Sequence, residues 1–302
     1  MVLKPCQPPS PLKPGDLLRA IAPSGCLREL AAFDAGVEIW RSQGYQVEIS
    51  SGFDSRWGYL AGTDGDRRQQ LIEAWQDPKC RGILCARGGY GSTRLLENFQ
   101  FIPPATHQNS KWLIGFSDIT ALLWHLVQSG ISGVHAPLLT TIAQEPAWSQ
   151  ERLFNWVAGN PIAPLQGQGW GGGSVTGILL PANLTVATCL IGTPGQLNLE
   201  GAILALEDVS EAPYRIDRML TQWRSSGAFQ GLHGIALGRF SSCEAPSGLP
   251  SFTVEEVLRD RLSDLGIPIV SHLPFGHEGE NAALPVGITV HLDGTTGILS
   301  FI

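Results

Sequence analysis

The sequence predicts an α/β protein built in two parts, and three observations carry that expectation. Short apolar runs of strand type alternate with segments of helical period through the first half, at the spacing of βαβ units. Two of those runs end in glycine-bearing turns, Arg87-Gly88-Gly89-Tyr90-Gly91 and Gly115-Phe116-Ser117-Asp118. After Trp156 the chain becomes rich in glycine and proline and its pattern less regular, as at a boundary between domains.

Taken in order, residues 1–15 read as a proline-rich lead-in. Asp16–Ala22 reads as a first strand closed by Pro23-Ser24-Gly25. Leu27–Ser42 carries apolar residues at helical spacing and stops before Gly44, a C-cap candidate. Tyr45–Ile49 is a second strand. Thr63 or Asp64 caps a helix that runs to Pro78. Arg81–Ala86 is a third strand, and the glycine turn after it leads into a helix through Leu95 and Leu96. Lys111–Ile114 is the strand before Ser117, Ile119–Gln128 the helix after it, and Ile131–His135 a further strand. This alternation predicts a parallel sheet covered on both faces, of flavodoxin-like type. Ligands of such sheets bind beyond the carboxyl ends of the strands, where both glycine turns lie.

The domain expected from this pattern spans 1–160, with 161–169 as a linker. Residues 170–302 are expected to form a smaller α+β domain on a mixed sheet or partial barrel. Its strands are read at Gly177–Leu180, Gly201–Leu206, Gly234–Arg239, Ile267–Ser271 and Ile288–Leu292, and its helices at Asn183–Leu190, Tyr214–Ser225 and Val254–Leu265.

Composition narrows the function classes. At 302 residues with 43% hydrophobic and 16% charged residues, the chain has enough apolar surface for a core and is not disordered. A net charge of −7 with no basic run argues against nucleic acid as a partner. No apolar run of about 18 residues marks a membrane span, and none near the N-terminus has signal-peptide length, so a cytoplasmic protein is expected. The six cysteines, Cys6, Cys26, Cys80, Cys85, Cys189 and Cys243, include no Cys-x-x-Cys pair and are expected reduced and buried.

Ser117 has two readings. At a tight strand-to-helix turn a serine presents its hydroxyl beyond the sheet edge with helix N–H groups nearby, as a nucleophile requires, yet serine is also a common helix N-cap. The full Gly-x-Ser-x-Gly elbow is absent, since Ile119 stands at the second glycine position. A nucleophilic serine needs a base and the base an orienting group. His277, in the polar loop Phe275-Gly276-His277-Glu278-Gly279-Glu280, is the candidate base. His272 and His277 with Glu278 and Glu280 are the alternative, a metal set, but no metal-ligand spacing supports it. His107, His125, His135, His233 and His291 have less suggestive surroundings. Glu207, directly after the apolar run Ala202–Leu206, is the candidate orienting acid, or else part of a charged set at a helix start with Asp208, Glu211, Arg215, Asp217 and Arg218. Gly88 and Gly89, with the N–H of Asp118, are candidate oxyanion donors. No lysine follows the glycines, so they are not a phosphate loop. Cys85 reads as a core thiol.

Four blocks together, Arg87-Gly88-Gly89-Tyr90-Gly91, Ile114-Gly115-Phe116-Ser117-Asp118, Leu206-Glu207-Asp208-Val209 with Tyr214-Arg215-Ile216-Asp217-Arg218, and Phe275-Gly276-His277, resemble the LD-carboxypeptidase family of serine peptidases, from about Lys13 to the C-terminus. The resemblance implies a flavodoxin-like N-terminal domain bearing the serine and a C-terminal domain bearing the acid and the base. It implies catalytic Ser117, Glu207 and His277, and an oxyanion hole at Gly89 and Asp118. Gly88, Tyr90, Arg87 and Arg215 are candidate substrate contacts, and Arg94 is a further cation for the substrate carboxylate. It implies cleavage of the L,D bond to the terminal D-Ala of murein tetrapeptides in cell-wall recycling, in the cytoplasm. The partner implied is a muropeptide, the assembly a homodimer, and neither metal nor cofactor is required. The alternatives are a relative that hydrolyses peptidyl adenylates of the microcin C type, with Trp57, Trp170 or Tyr90 stacking the base, and a non-catalytic flavodoxin-like binding protein.

Overall fold

The computed structural model describes residues 3–98, 110–245, 248 and 250–302; His107 lies outside them. In chain order the elements are β1 (Leu17–Ile21), α1 (Leu30–Ser42), β2 (Gln46–Ile49), α2 (Asp64–Gln76), β3 (Cys80–Cys85), α3 (Ser92–Leu95), β4 (Trp112–Gly115), α4 (Thr120–Gln128), β5 (Val134–His135) and α5 (Ala147–Val157). There follow β6 (Leu165–Gln166), β7 (Gln168–Gly169), β8 (Ser174–Asn183), α6 (Leu184–Leu190), β9 (Ala202–Val209), α7 (Pro213–Ser225), β10 (Gly234–Ser241), α8 (Val254–Leu262), β11 (Ile269–Ser271), β12 (Leu284–Pro285), β13 (Thr289–Asp293) and β14 (Ile298–Phe301). The chain divides into two compact units. One gathers Cys6–Ile162 with Ala282–Gly287, the other Ala163–Asn281 and Ile288–Ile302.

In the first unit β2, β1, β3, β4 and β5 are parallel and lie side by side in that order, the doubly wound flavodoxin-like arrangement. β12 adds an antiparallel edge strand to β5, so the sheet is mixed by one short strand. The central strands β3 and β4 are short and almost wholly buried, which is why they read as apolar runs. Leu18, Leu84, Ile114 and Val134 meet Trp40 and Trp112 in one apolar cluster. Thr63 caps α2 with a full capping box against Asp66, as its sequence predicts. The direction of the strand order changes between β1 and β3, so the loops after these two strands flank the crevice where doubly wound sheets bind ligands. The Gly25 N–H, after β1, donates to the Gly88 carbonyl, after β3, at 3.0 Å.

Two expectations need adjustment here. The strand expected over Ile131–His135 is only the pair Val134–His135, because Gly133 and Ser132 turn away to bond elsewhere. α5 was not expected at all; its buried residues Ser149, Arg152, Leu153 and Val157 alternate with exposed polar ones, and this stripe is too dilute to stand out.

In the second unit β8, β9, β10 and β11 form a parallel core joined by α6, α7 and α8. Antiparallel strands flank it: β13 and β14 beyond β8, and β7 beyond β11. β6 and β7 are separated by Gly167 alone, and they pair with β14 at one end of the sheet and β11 at the other. The sheet is mixed, and it is not a closed barrel. β14, only four residues long, is too short to stand out by its period. Trp223 of α7 donates its indole N–H to Thr188 of α6 at 2.8 Å, which ties the two helices together. No described helix is long and apolar enough to cross a membrane.

Candidate active site

In the first unit Ser117 follows β4 as the first residue of a 3₁₀ turn that runs into α4. Its φ is +63°, a left-handed backbone that a serine adopts only under constraint. An N-cap has extended backbone, so the capping reading of Ser117 does not hold. The next residue, Asp118, is buried, and its carboxylate accepts the Ser92 N–H at 2.8 Å while the Ser92 hydroxyl donates to the Asp118 carbonyl. These two bonds fasten the glycine turn after β3 to the serine turn after β4. Gly88 lies against the serine so closely that a Cβ there would stand 3.0 Å from both Cβ and Oγ of Ser117. The missing side chain therefore allows the two turns to meet. Gly89, with φ +103°, completes the turn. Arg87 binds Glu29 and donates to the Gly88 carbonyl at 3.3 Å. Tyr90 is exposed beside it. Ser117, Asp118, Gly88, Gly89, Arg87 and Tyr90 are thus gathered at one edge of the first sheet.

In the second unit Glu207 stands near the end of β9 and is fully buried. Its Oε2 accepts from Nδ1 of His277 at 2.7 Å, across 70 residues of sequence. The loop that carries His277 reaches this point because Gly276 has φ +118° and no side chain; a Cβ there would lie 3.0 Å from Cβ of Glu207. Ser241 of β10 donates to the His277 carbonyl and Asn281 accepts the Gly276 N–H, which hold the loop from two sides. Burial by itself would lower the His277 pKa. The Glu207 charge and hydrogen bond, with smaller contributions from Asp208 and Glu278, outweigh burial and hold it above the ordinary value.

Sequence reasoning missed the floor of this pair. Asn183, the N-cap of α6, accepts the Val186 N–H with its side-chain oxygen. Its amide nitrogen reaches Glu207 Oε1 at 3.3 Å and Asp208 Oδ1 at 3.0 Å. Asp208 also accepts from the N–H and hydroxyl of Thr185. Burial, followed by the neighbouring Glu207, raises the Asp208 pKa to about 6. The only signal in the sequence was an asparagine between an apolar run and a helix.

The remaining candidates have other partners. His272 pairs with Ser271, Glu278 with Ser242 and Glu280 with Arg239, and among the described residues no group of metal-ligating side chains is assembled. Arg215 is exposed and bound to Glu211 and Tyr214. Arg94 is bound to Asp64. Cys85 is buried at the core, and burial raises its pKa. Cys189 is exposed, against the expectation that all six thiols are buried, because it falls on the outer face of α6.

An imidazole with one nitrogen held by a buried carboxylate is a competent base, and a serine on a strained turn beside close-packed backbone is a competent nucleophile. Residues 18–136 match the LD-carboxypeptidase N-terminal domain and residues 176–292 the LD-carboxypeptidase C-terminal domain. The chain belongs to the LD-carboxypeptidase family. A putative carboxypeptidase of Synechocystis is 59% identical over 97% of both chains. The murein tetrapeptide carboxypeptidase of Pseudomonas aeruginosa is 33% identical, over 83% of this chain and 85% of its own. The crystal structure of muramoyltetrapeptide carboxypeptidase from Oxalobacter formigenes matches with a TM-score of 0.83 at 29% identity, covering 94% of this chain and 97% of that one. The microcin C7 self-immunity protein in its wild-type apo state matches with a TM-score of 0.86 at 21% identity over 97% of each chain, a likeness of fold alone.

Proposed function

We propose that this LD-carboxypeptidase family member is a serine peptidase that hydrolyses the L,D bond to the terminal D-Ala of a murein tetrapeptide. The observation that carries the reading is the hydrogen bond from His277 Nδ1 to the buried Glu207. With Nδ1–H donated to the carboxylate, Nε2 is the basic nitrogen. The relatives named for murein tetrapeptide and muramoyltetrapeptide support the substrate.

In this reading His277 takes the Ser117 proton as Oγ attacks the scissile carbonyl. Glu207 orients the imidazole and stabilises its charged form. Backbone N–H groups at Gly89 and Asp118 bind the oxyanion. The intermediate collapses, the C–N bond breaks, and His277 returns the proton to the amine of departing D-Ala. Water then attacks the acyl-enzyme, His277 again accepting the proton, and Ser117 is regenerated. Gly88, Tyr90, Arg87 and Arg215 are assigned to substrate contact. By resemblance the enzyme works in the cytoplasm, in cell-wall recycling, as a homodimer.

The test is release of free D-Ala from L-Ala-γ-D-Glu-meso-diaminopimelate-D-Ala. Wild type is expected to release it and Ser117→Ala is not. Equal release by both proteins, or release by neither, overturns the reading.

A further inference from the structure

Helix α2 buries two polar side chains, Arg67 at 0% and Gln70 at 4% exposure, three residues apart and so on one face of the helix. Both reach the loop that follows β1. Gln70 Oε1 accepts the Ala22 N–H at 3.0 Å, and Nη1 of Arg67 donates to the Pro23 carbonyl at 2.5 Å. The same Nη1 donates to the Gly91 carbonyl at 2.8 Å, and Nη2 donates to Asp64, one turn back along α2. Asp64 is held from its other side by Arg94. An apolar side chain would fill this face at lower cost, because burial penalises a cation. That burial pulls the Arg67 pKa below its ordinary value, against the opposing hydrogen bond and charge of Asp64.

The groups that the guanidinium joins give it a use. Gly88-Gly89-Tyr90-Gly91 holds three glycines, and a segment of that composition does not keep one conformation by itself. It is fixed from outside at three points. The Gly88 carbonyl accepts the Gly25 N–H, the Gly91 carbonyl accepts from Arg67, and the next residue, Ser92, is bonded to Asp118 through both its N–H and its hydroxyl. Gly91 has φ +132°, and a Cβ on it would stand 2.7 Å from Nη1 of Arg67, so the glycine makes room for the guanidinium. The Gly89 N–H, assigned above to the oxyanion, lies between the first two of these points, and Gly88 is packed on Ser117.

We propose that Arg67 is a positioning residue for the reaction at Ser117: by binding the Pro23 and Gly91 carbonyls together, its guanidinium locks the glycine turn in the conformation that aims the Gly89 N–H at the developing oxyanion. The inference rests on the peptidase reading and adds to it a fully buried residue that touches no substrate. A donor held in this way acts where charge develops in the transition state. Loosening it therefore falls on turnover and spares the binding of the peptide.

The experiment compares wild type with Arg67→Met, an unbranched apolar replacement, in two measurements. One is D-Ala release from L-Ala-γ-D-Glu-meso-diaminopimelate-D-Ala, and the other is amide hydrogen exchange followed by mass spectrometry. Arg67→Met is expected to lower kcat roughly 100-fold while KM changes by less than about twofold. Exchange over residues 88–92 is expected to quicken while β1 and β3 exchange as in wild type. Should Arg67→Met fail to fold, Arg67→Lys, which keeps the cation and loses the planar fork, takes its place, with an expected fall in kcat of roughly tenfold. Unchanged kcat in the folded variant overturns the proposal, as does a loss carried by KM or exchange over 88–92 that stays as in wild type. Exchange that rises evenly across the first unit, with kcat and KM unchanged, assigns Arg67 to the stability of the fold alone. D-Ala release by wild type with unchanged exchange in the variant removes only this inference. No release by wild type removes the peptidase reading, and exchange over 88–92 still decides whether Arg67 fixes the turn.

Discussion

The two units hold their proposed reactive groups by different physical means. In the first, backbone does the positioning: Ser117 is forced to φ +63° by a turn between β4 and α4, and Gly88 yields the space against it. In the second, side chains do it: Asn183 and Asp208 form a buried network beneath Glu207, and Glu207 holds His277. A nucleophile must be presented in one direction, and local backbone strain achieves this with few residues. A base must also have its proton affinity set, and that requires buried charge. The difference teaches that the serine turn should respond to steric changes and the acid–base pair to changes of charge.

The largest effect expected from breaking this contrast is at the proposed nucleophile. Ser117→Ala should lower kcat by on the order of 10⁶. Ser117→Gly should be equally inactive yet more stable than Ser117→Ala by about 1 kcal/mol in chemical denaturation, because glycine relieves the left-handed backbone. Equal stability of the two variants would mean that the turn stores no strain.

Next comes charge. Glu207→Gln should lower kcat by on the order of 10⁴. Wild-type activity should fall as pH drops through a midpoint above 6.5, since a neutral imidazole is needed and Glu207 raises its pKa. In Glu207→Gln the main cause of that rise is gone while burial remains, so the residual activity should have its acid midpoint below that of wild type. An unchanged midpoint would sever His277 from Glu207 as a functional pair.

Steric changes should follow. Gly276→Ala places a Cβ 3.0 Å from that of Glu207 in a backbone of φ +118°, so both unfolding stability and kcat should fall, stability by roughly 1–3 kcal/mol. Gly88→Ala, with no positive φ to strain, should reduce kcat with a smaller change in stability.

The smallest effect concerns Asp208. Its folded pKa of about 6 exceeds the ordinary value of 3.8, so its contribution to stability is present below about pH 4 and is lost as pH rises through about 6. The stability of wild type relative to Asp208→Asn should therefore decline between those values, by at most about 3 kcal/mol. A pH-independent difference would remove Asp208 from the charged network.

Much of this molecule was legible in its residues. Strand and helix periods outlined the first sheet, Thr63 marked a cap, and Ser117, Glu207 and His277 stood out because each interrupts an apolar run or a glycine-bearing loop. The weak stripe of α5 and the two-residue strands were not legible, since a few residues carry too little period.

By itself, then, the sequence determined what depends on neighbours along the chain: element type, turn chemistry, and the kinds of candidate group at the strand ends. Only the tertiary structure decided which distant residues meet. Asn183 joins Glu207 and Asp208 across more than 20 residues, and β12 reaches β5 across nearly half the chain. Tyr59 and Tyr90 come together from separate loops. Periodicity encodes the direction in which a side chain points from its own element. Its partner follows from strand order and packing, which are set only when the apolar faces have closed on one another.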